Sequence, residues 1–567
     1  MASTLPRLPI FEAIAKHDPQ STAVIHSVSG RRFKYGELLK DVADGRDKLV
    51  KEAGGRSVGG QRIAFLVENS YDYVVTLLSI LGAHSIALPL SPAFPAHELQ
   101  YILDQSQASM LLSSAKFENK AEEVLGRDLE AKPKHVKLKK KLGGAAQSVV
   151  TLEGPTDGCG GMMLYTSGTT NRPKGVLLPQ SVLTAQANSL VTAWNYSPKD
   201  HLLHVLPLHH IHGTVNAILA PLFAGSTIEF LFPFNATAAW LRFAAPFLPS
   251  SKTTEPITFF TVVPTVYNRL LSTYKDLSLE TQAAAKEGIS PKNLRLNISG
   301  SAALPTPTKK AWSDLSNGNI LLERYGMTEV GMALSCGLSN ADRVDGSVGW
   351  ALPGVEVRLV DTETHEVIRP GEELDKNGKE RDGEIQLRGP TIFKEYWRNE
   401  KATLAEHVDG GDGKGRWFKT GDVAVRRDVP SAGHSEQDWA HGPMYFIRGR
   451  KSADIIKSGG EKVSALEVER ELLSLPQVAE AAVVAVPSGK WGQKVGAVII
   501  LNKDAAGKRG KWGPMDMRRA LKERLANYKI PQVMKVVDEI PRNAMGKINK
   551  KQLVKQVFVD EASGDEM

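Results

Sequence analysis

Residues 162–180 read MMLYTSGTTNRPKGVLLPQ, an apolar run that breaks into Thr166, Ser167, Gly168, Thr169 and Thr170 and resumes after Lys174 and Gly175. Such a loop can wrap an anion. Glycine lets backbone N–H groups approach closely, hydroxyls add donors, and the lysine adds a point charge. The spacing is not that of the GxxxxGK[ST] phosphate loop, because Gly175 follows the lysine and no Ser or Thr comes after it, so kinase-type chemistry is set aside. A second string, LLERYGMTEVGMAL at 321–334, supplies an aromatic face for a purine at Tyr325 and a carboxylate for a hard cation at Glu329. A third, WFKTGD, ends on Asp422, and a fourth, PRNAMGKI, carries Lys547. A lone lysine after a glycine is ordinarily just a solvated charge.

Together these strings resemble the motifs of the adenylate-forming enzymes, the superfamily of acyl-CoA synthetases, luciferases and peptide-synthetase adenylation domains. They follow the family's order across nearly the whole chain. The resemblance implies that Thr166, Ser167, Gly168, Thr169, Thr170 and Lys174 grip the phosphates of ATP, and that Gly300, Ser301 and Ala302 of SGSAALP touch adenine and ribose. It assigns Tyr325 and Gly326 to the adenine face, Thr328 to the phosphates, Glu329 to Mg²⁺, Asp422 to the ribose hydroxyls and Arg450 to the nucleotide. Lys547 matches the catalytic lysine of a mobile C-terminal domain, and Gly459 with Gly460 would border the channel that admits CoA.

The wording LPLHHIHG, SGSAALP, ERYGMTEVGMAL and KSGGEKVSALEVE is most similar to the malonyl-CoA synthetase branch. That implies an ATP-dependent acid–CoA ligase making malonyl-CoA, or a close analogue such as methylmalonyl-CoA, through an acyl-adenylate with release of AMP and pyrophosphate. A dicarboxylate brings a second charge into the pocket, and burying it unpaired would cost several kcal/mol, so a cation must meet it. Arg269 and Arg295 are the candidates, with His210 or His212 assisting. The alternatives are an apolar pocket for a medium-chain or aromatic acid, and a non-catalytic nucleotide-binding scaffold. The scaffold would tolerate loss of Lys547, Glu329 and Asp422, yet all three are present. A peptide-synthetase module would need a carrier domain, and too few residues follow Lys547 to form one.

Positioning these groups calls for an α/β protein. Strands at 62–67 and 86–90 flank a helix at 70–82, the βαβ rhythm of a mostly parallel sheet, and further strands are predicted at 204–208, 258–263 and 294–299. From 346 to 448 apolar and polar residues alternate, which predicts a small antiparallel barrel. The chain is cut after Arg450 into a 1–450 nucleotide-binding domain, a mobile α+β domain at 451–559 and an acidic tail at 560–567, with the hinge within 451–454. Three close histidines, His209, His210 and His212, lack an accompanying carboxylate or cysteine and so make a poor metal site. The basic run KPKHVKLKKK at 132–141 reads as a solvated surface loop.

The chain has 567 residues, enough for more than one domain, and its net charge of +8 is too dilute to imply nucleic acid without a recognition motif. Acidic small molecules account for the sign. Two distant cysteines, Cys159 and Cys336, exclude a disulfide framework and fit a reducing compartment. The first residues are poor material for a targeting signal, so the cytoplasm is the expected location, with the mitochondrion as the alternative. No membrane span is expected, and the sequence does not fix an oligomeric state.

Overall fold

The computed structural model describes residues 3–144, 150–154, 158–166, 172–488, 492–502, 512–542 and 548–559. Two large sheets make up most of the structure. The first has seven strands, in which Arg62–Leu66, Ile86–Pro89, Met110–Ser113 and Lys134–Lys137 run parallel, and Gly161–Thr166 joins alongside Ile86–Pro89. Its phosphate-loop strand turns back as Lys174–Pro179, pairing Thr166 with Lys174 and Gly161 with Pro179. The basic run is therefore not a free loop. Val136 is buried, and Lys134, Lys137 and Lys141 are tied to Glu52, Glu118 with Glu122, and Asp41.

The second sheet has nine strands, with Thr22–His26, Thr227–Phe230, His201–His204, Phe259–Val262, Leu296–Gly300 and Leu322–Met327 in parallel register. Helix Tyr71–Gly82 lies inside the main core and is buried on every side, which explains why its sequence shows little polar alternation. Parallel strands end at a common edge, and ligands of such sheets bind beyond that carboxyl edge.

Residues 356–450 form a six-stranded antiparallel sheet, in which Arg416–Arg427 pairs with Gly383–Arg388, His407–Asp409 and Met444–Arg450. Among the described residues it branches instead of closing into the predicted barrel. Strand Arg416–Arg427 is long enough to pair with His407–Asp409 along its first residues and with Met444–Arg450 along its last, with a register shift at Val423 inside the second pairing. A last sheet gathers Ile455–Ser458, Glu461–Ser464, Val478–Ser488, Gly492–Leu501 and Val533–Val536, with helices Ala465–Leu473, Pro514–Leu521 and Lys550–Val557 and its own apolar core. Residues 451–454, where the hinge was expected, form a turn whose N–H groups from Ala453 and Asp454 return to the carbonyl of Arg450. Among the described residues no helix is long and apolar enough to cross a membrane.

Candidate active site

The second string folds as a hairpin, Leu322–Met327 returning as Gly331–Ser335, with Thr328 and Glu329 in its turn. Gly326 is required there, since a Cβ would sit 2.1 Å from the carbonyl oxygen of Gly331. The hairpin delivers Tyr325 to Asp422, whose Oδ2 accepts the tyrosine hydroxyl at 2.6 Å. Arg450 reaches the other oxygen of the same carboxylate, with Nε 2.9 Å from Oδ1. Its Nη1 also donates to the carbonyl of Thr420 at 2.9 Å, close against Gly421 in its left-handed turn. Strands Arg416–Arg427 and Met444–Arg450 pair residues 422 and 450 directly, so two motifs far apart in sequence meet by register alone.

Glu329 is buried, and its Oε1 accepts the Tyr396 hydroxyl at 2.8 Å. Burial raises its carboxyl above the usual range, while the charges of Arg450 and Lys174 oppose the shift. Lys174 lies with Nζ 4.1 Å from the centre of the Tyr396 ring. The structure thus brings together Tyr325, Glu329, Asp422, Arg450 and Lys174, with the half-buried Thr166 beginning and Lys174 ending the phosphate-loop hairpin. The Thr328 side chain is half-buried in the turn beside Glu329. A single recessed carboxylate flanked by cations fits a Mg²⁺ ion shared with phosphate oxygens and water, the arrangement that cation favours. Among the described residues there is no cluster of three metal-ligating side chains. Ser167, Gly168, Thr169, Thr170 and Lys547 lie outside the described residues.

At the carboxyl edge of the neighbouring strand, Gly300 leaves room for the guanidinium of Arg324, which a Cβ would meet at 2.5 Å. Ser301 takes a left-handed φ of 67° and stands exposed with Ala302, and its hydroxyl faces Arg324 Nη2 at 3.4 Å. Arg324 itself is only 3% exposed, and its Nε has no hydrogen-bond partner. Burial pushes its guanidinium down to about 9, still charged at neutral pH. His212 is also buried, with Nε2 2.7 Å from Thr261 Oγ1 and Nδ1 unpartnered. Burial, followed by the charge of Arg324, holds His212 well below the ordinary histidine range, so the ring is neutral. A buried cation of this kind next to a neutral histidine is what a carboxylate would seek.

Arg324 escaped the sequence reading although it stands directly before Tyr325, because alternation along a strand sends adjacent side chains to opposite faces. The histidine segment also differs from expectation. The strand stops at His204, and His212 begins a π-helix running to Leu219. Gly213 packs under the Pro207 carbonyl, where a Cβ would approach to 2.2 Å, and His204 Nε2 lies 2.8 Å from the carbonyl of Gly213. His210 is half-buried, its ring 4.1 Å from that of His209.

Arg295 is a correction. It precedes Leu296–Gly300 and so lies at the amino edge, roughly 16 Å along the strand from Gly300. Asp200 holds it with two bonds of 2.7 and 2.8 Å, and the carbonyls of Trp194 and Asn195 take its other donors. It cannot read a substrate. Arg269 is exposed on helix Pro264–Thr273, its guanidinium 5.2 Å from the centre of the Phe234 ring. Gly459 and Gly460 form the exposed tip of a hairpin flanked by the Lys379–Glu461 and Lys462–Thr362 contacts.

A two-sheet core with a nucleotide cluster at its carboxyl edge and a small appended α+β sheet defines an adenylate-forming protein. The chain belongs to the AMP-binding enzyme family: the AMP-binding enzyme pattern covers residues 11–397, and the pattern of the AMP-binding enzyme C-terminal domain covers 467–547. It is 54% identical to a protein named CoA ligase from Gibberella moniliformis, over 98% of this chain and 96% of the other. It is 39% identical to a mitochondrial malonate–CoA ligase of Homo sapiens, over 92% and 88%. The crystal structure of ATP-bound MatB from Rhodopseudomonas palustris superposes with a TM-score of 0.76 at 29% identity, covering 97% of this chain and 99% of that one.

Proposed function

We propose that the protein is an ATP-dependent acid–CoA ligase acting on malonate or a close dicarboxylate such as methylmalonate. One observation carries the choice of acid: Arg324 is a buried guanidinium with a free donor at the edge where the nucleotide cluster begins. An octanoate chain or an aromatic ring would leave that charge unpaired in an apolar surround, at a cost of several kcal/mol. The second carboxylate of malonate pairs it, with Ser301 and the neutral His212 adding hydrogen bonds. The malonate–CoA ligase relative supports the same acid.

In this reading one malonate carboxylate attacks the α-phosphorus of ATP, the bond to the β-phosphate oxygen breaks, and pyrophosphate leaves. The thiol of CoA then attacks the acyl carbonyl, loses its proton to water, and expels AMP. Asp422 holds the ribose hydroxyls, with Arg450 and Tyr325 fixing the orientation of its carboxylate. Thr166, Lys174, Thr328 and the 167–170 stretch take the phosphates; Gly300, Ser301, Ala302 and Gly326 border the adenosine. Glu329 would hold Mg²⁺, which supplies charge neutralisation on the phosphates. Lys547 stabilises the negative charge that builds between carboxylate and α-phosphate, and Gly459 with Gly460 reaches the CoA path after the 451–559 domain turns about the 451–454 hinge. These are positioning and electrostatic effects, and no protein nucleophile is used.

AMP release with malonate, octanoate and coumarate tests the reading. Malonate is the preferred substrate; equal or better turnover of either monoacid would overturn it. In the Lys547→Ala variant, pyrophosphate exchange is lost while thioester formation from supplied malonyl-adenylate persists. We place the protein in the mitochondrion, as the human relative's name does for that protein, ahead of the cytoplasm; cell fractionation decides between the two.

A further inference from the structure

Lys550 opens the final helix and is enclosed by two carboxylates, its Nζ 2.5 Å from Asp454 Oδ1 and 2.7 Å from Glu469 Oε1. All three side chains are 15% exposed or less. Glu469 also accepts the N–H of Val483 at 2.8 Å, which fixes it to the last sheet. Asp454 faces both ways. Its Oδ2 accepts the N–H of Arg450 at 2.9 Å, on the far side of the 451–454 turn. From there the polar chain continues through the Arg450 guanidinium to Asp422 and on to the Tyr325 hydroxyl. Gly449 makes the approach possible, because a Cβ there would stand 2.4 Å from that of Asp454.

An ammonium withdrawn from water between two carboxylates is weak evidence for stability, since desolvation consumes most of the Coulomb gain; its best-attested use is to specify one arrangement. Lys550 lies three positions after Lys547 in the chain, and Arg542, five positions before it, is held to Glu480 at 2.8 Å. The Lys550 contact continues through Asp454 to Arg450 and Asp422 at the proposed ribose end of the nucleotide cluster. We infer that Lys550, clamped by Asp454 and Glu469, is a positioning residue that fixes the final helix against the 451–454 turn, and so against Arg450 and Asp422, during adenylation. The inference rests on the reading of Lys547 given above.

The test uses full-length Lys550→Met, Lys550→Arg and Asp454→Asn proteins, each assayed for malonate-dependent ATP–pyrophosphate exchange, for thioester formation from supplied malonyl-adenylate and CoA, and for thermal unfolding. Lys550→Met lowers the kcat of exchange by about 30-fold or more, while thioester formation stays within about threefold of wild type. Lys550→Arg restores exchange to within about fivefold, and Asp454→Asn, which keeps the Lys550–Glu469 pair, loses about tenfold in exchange alone. Unchanged exchange in Lys550→Met and Asp454→Asn overturns the inference. So does a parallel fall of both half-reactions that tracks loss of folded protein in Lys550→Met while Asp454→Asn behaves as wild type. Wild-type exchange with malonate tests the functional reading separately; if another acid is the substrate, the variant-to-wild-type ratios with that acid still decide the role of Lys550.

Discussion

Arg295 and Arg324 occupy opposite edges of adjoining strands in one sheet, and their surroundings differ in kind. Arg295 spends its donors on Asp200 and two carbonyls, whereas Arg324 is more deeply buried and keeps an unpartnered Nε beside Ser301 and His212. A satisfied arginine holds structure together. An unsatisfied one in a protein interior costs stability, and it persists where a ligand completes it. The same contrast extends to the titrating groups. At the carboxyl edge burial holds His204 and His209 near 4 and His212 well below its ordinary value. In the middle of strand Thr227–Phe230, Glu229, despite burial, is held down to about 2 by His201 and Arg242.

The sharpest way to break this contrast is to delete both charges in turn. Arg324→Leu should lower kcat/KM for malonate by about 10²–10³, since a buried charge pair loses one partner, with no fall in thermal stability because an uncompensated cation has been removed. Arg295→Leu should do the reverse: malonate kinetics stay near wild type, and urea unfolding shows a loss of about 2 kcal/mol, discounted for the arginine's partial exposure, as the buried Asp200 is left unpaired. If Arg295→Leu abolishes malonate use in a stably folded protein, the assignment is reversed.

A smaller effect concerns pH. Histidines with depressed folded values bind fewer protons than their unfolded counterparts, so the stability they contribute is present above about 6.5 and lost as pH falls toward 4. Each adds a slope of about 1.4 kcal/mol per pH unit in that window. Glu229 acts lower, contributing stability above its unfolded value and losing it only as pH falls toward about 2. Thermal unfolding followed from pH 7 to 4 should therefore decline, and His204→Gln should flatten the decline. A profile indifferent to that substitution would show that the carboxyl edge does not hold its histidines neutral.

Much of the proposed nucleotide cluster was legible in the sequence because each motif is a contiguous string, and the fold brings Tyr325, Thr328 and Glu329 together around one turn. The α/β class was equally legible from the strand–helix–strand rhythm of residues 62–90. The proposed acid pocket was not, because it is built across elements: Arg324, His212 and Thr261 come from three separate segments, joined by strand register and by the His212–Thr261 hydrogen bond. Arg295 was misread for want of direction. It lies before its strand, and in a parallel sheet that is the edge remote from ligand. The predicted barrel failed for a similar reason, since alternation reveals strands but not how a long one divides its partners.

The most direct measurement is the ratio of kcat/KM for malonate to that for butyrate, a monoacid one methyl group longer than the malonate backbone minus its second charge, taken in wild type and in Arg324→Leu. The account predicts a strong preference for malonate in the wild type, about a hundredfold or more, that collapses to near unity in the variant. A preference that survives the loss of Arg324 would contradict it.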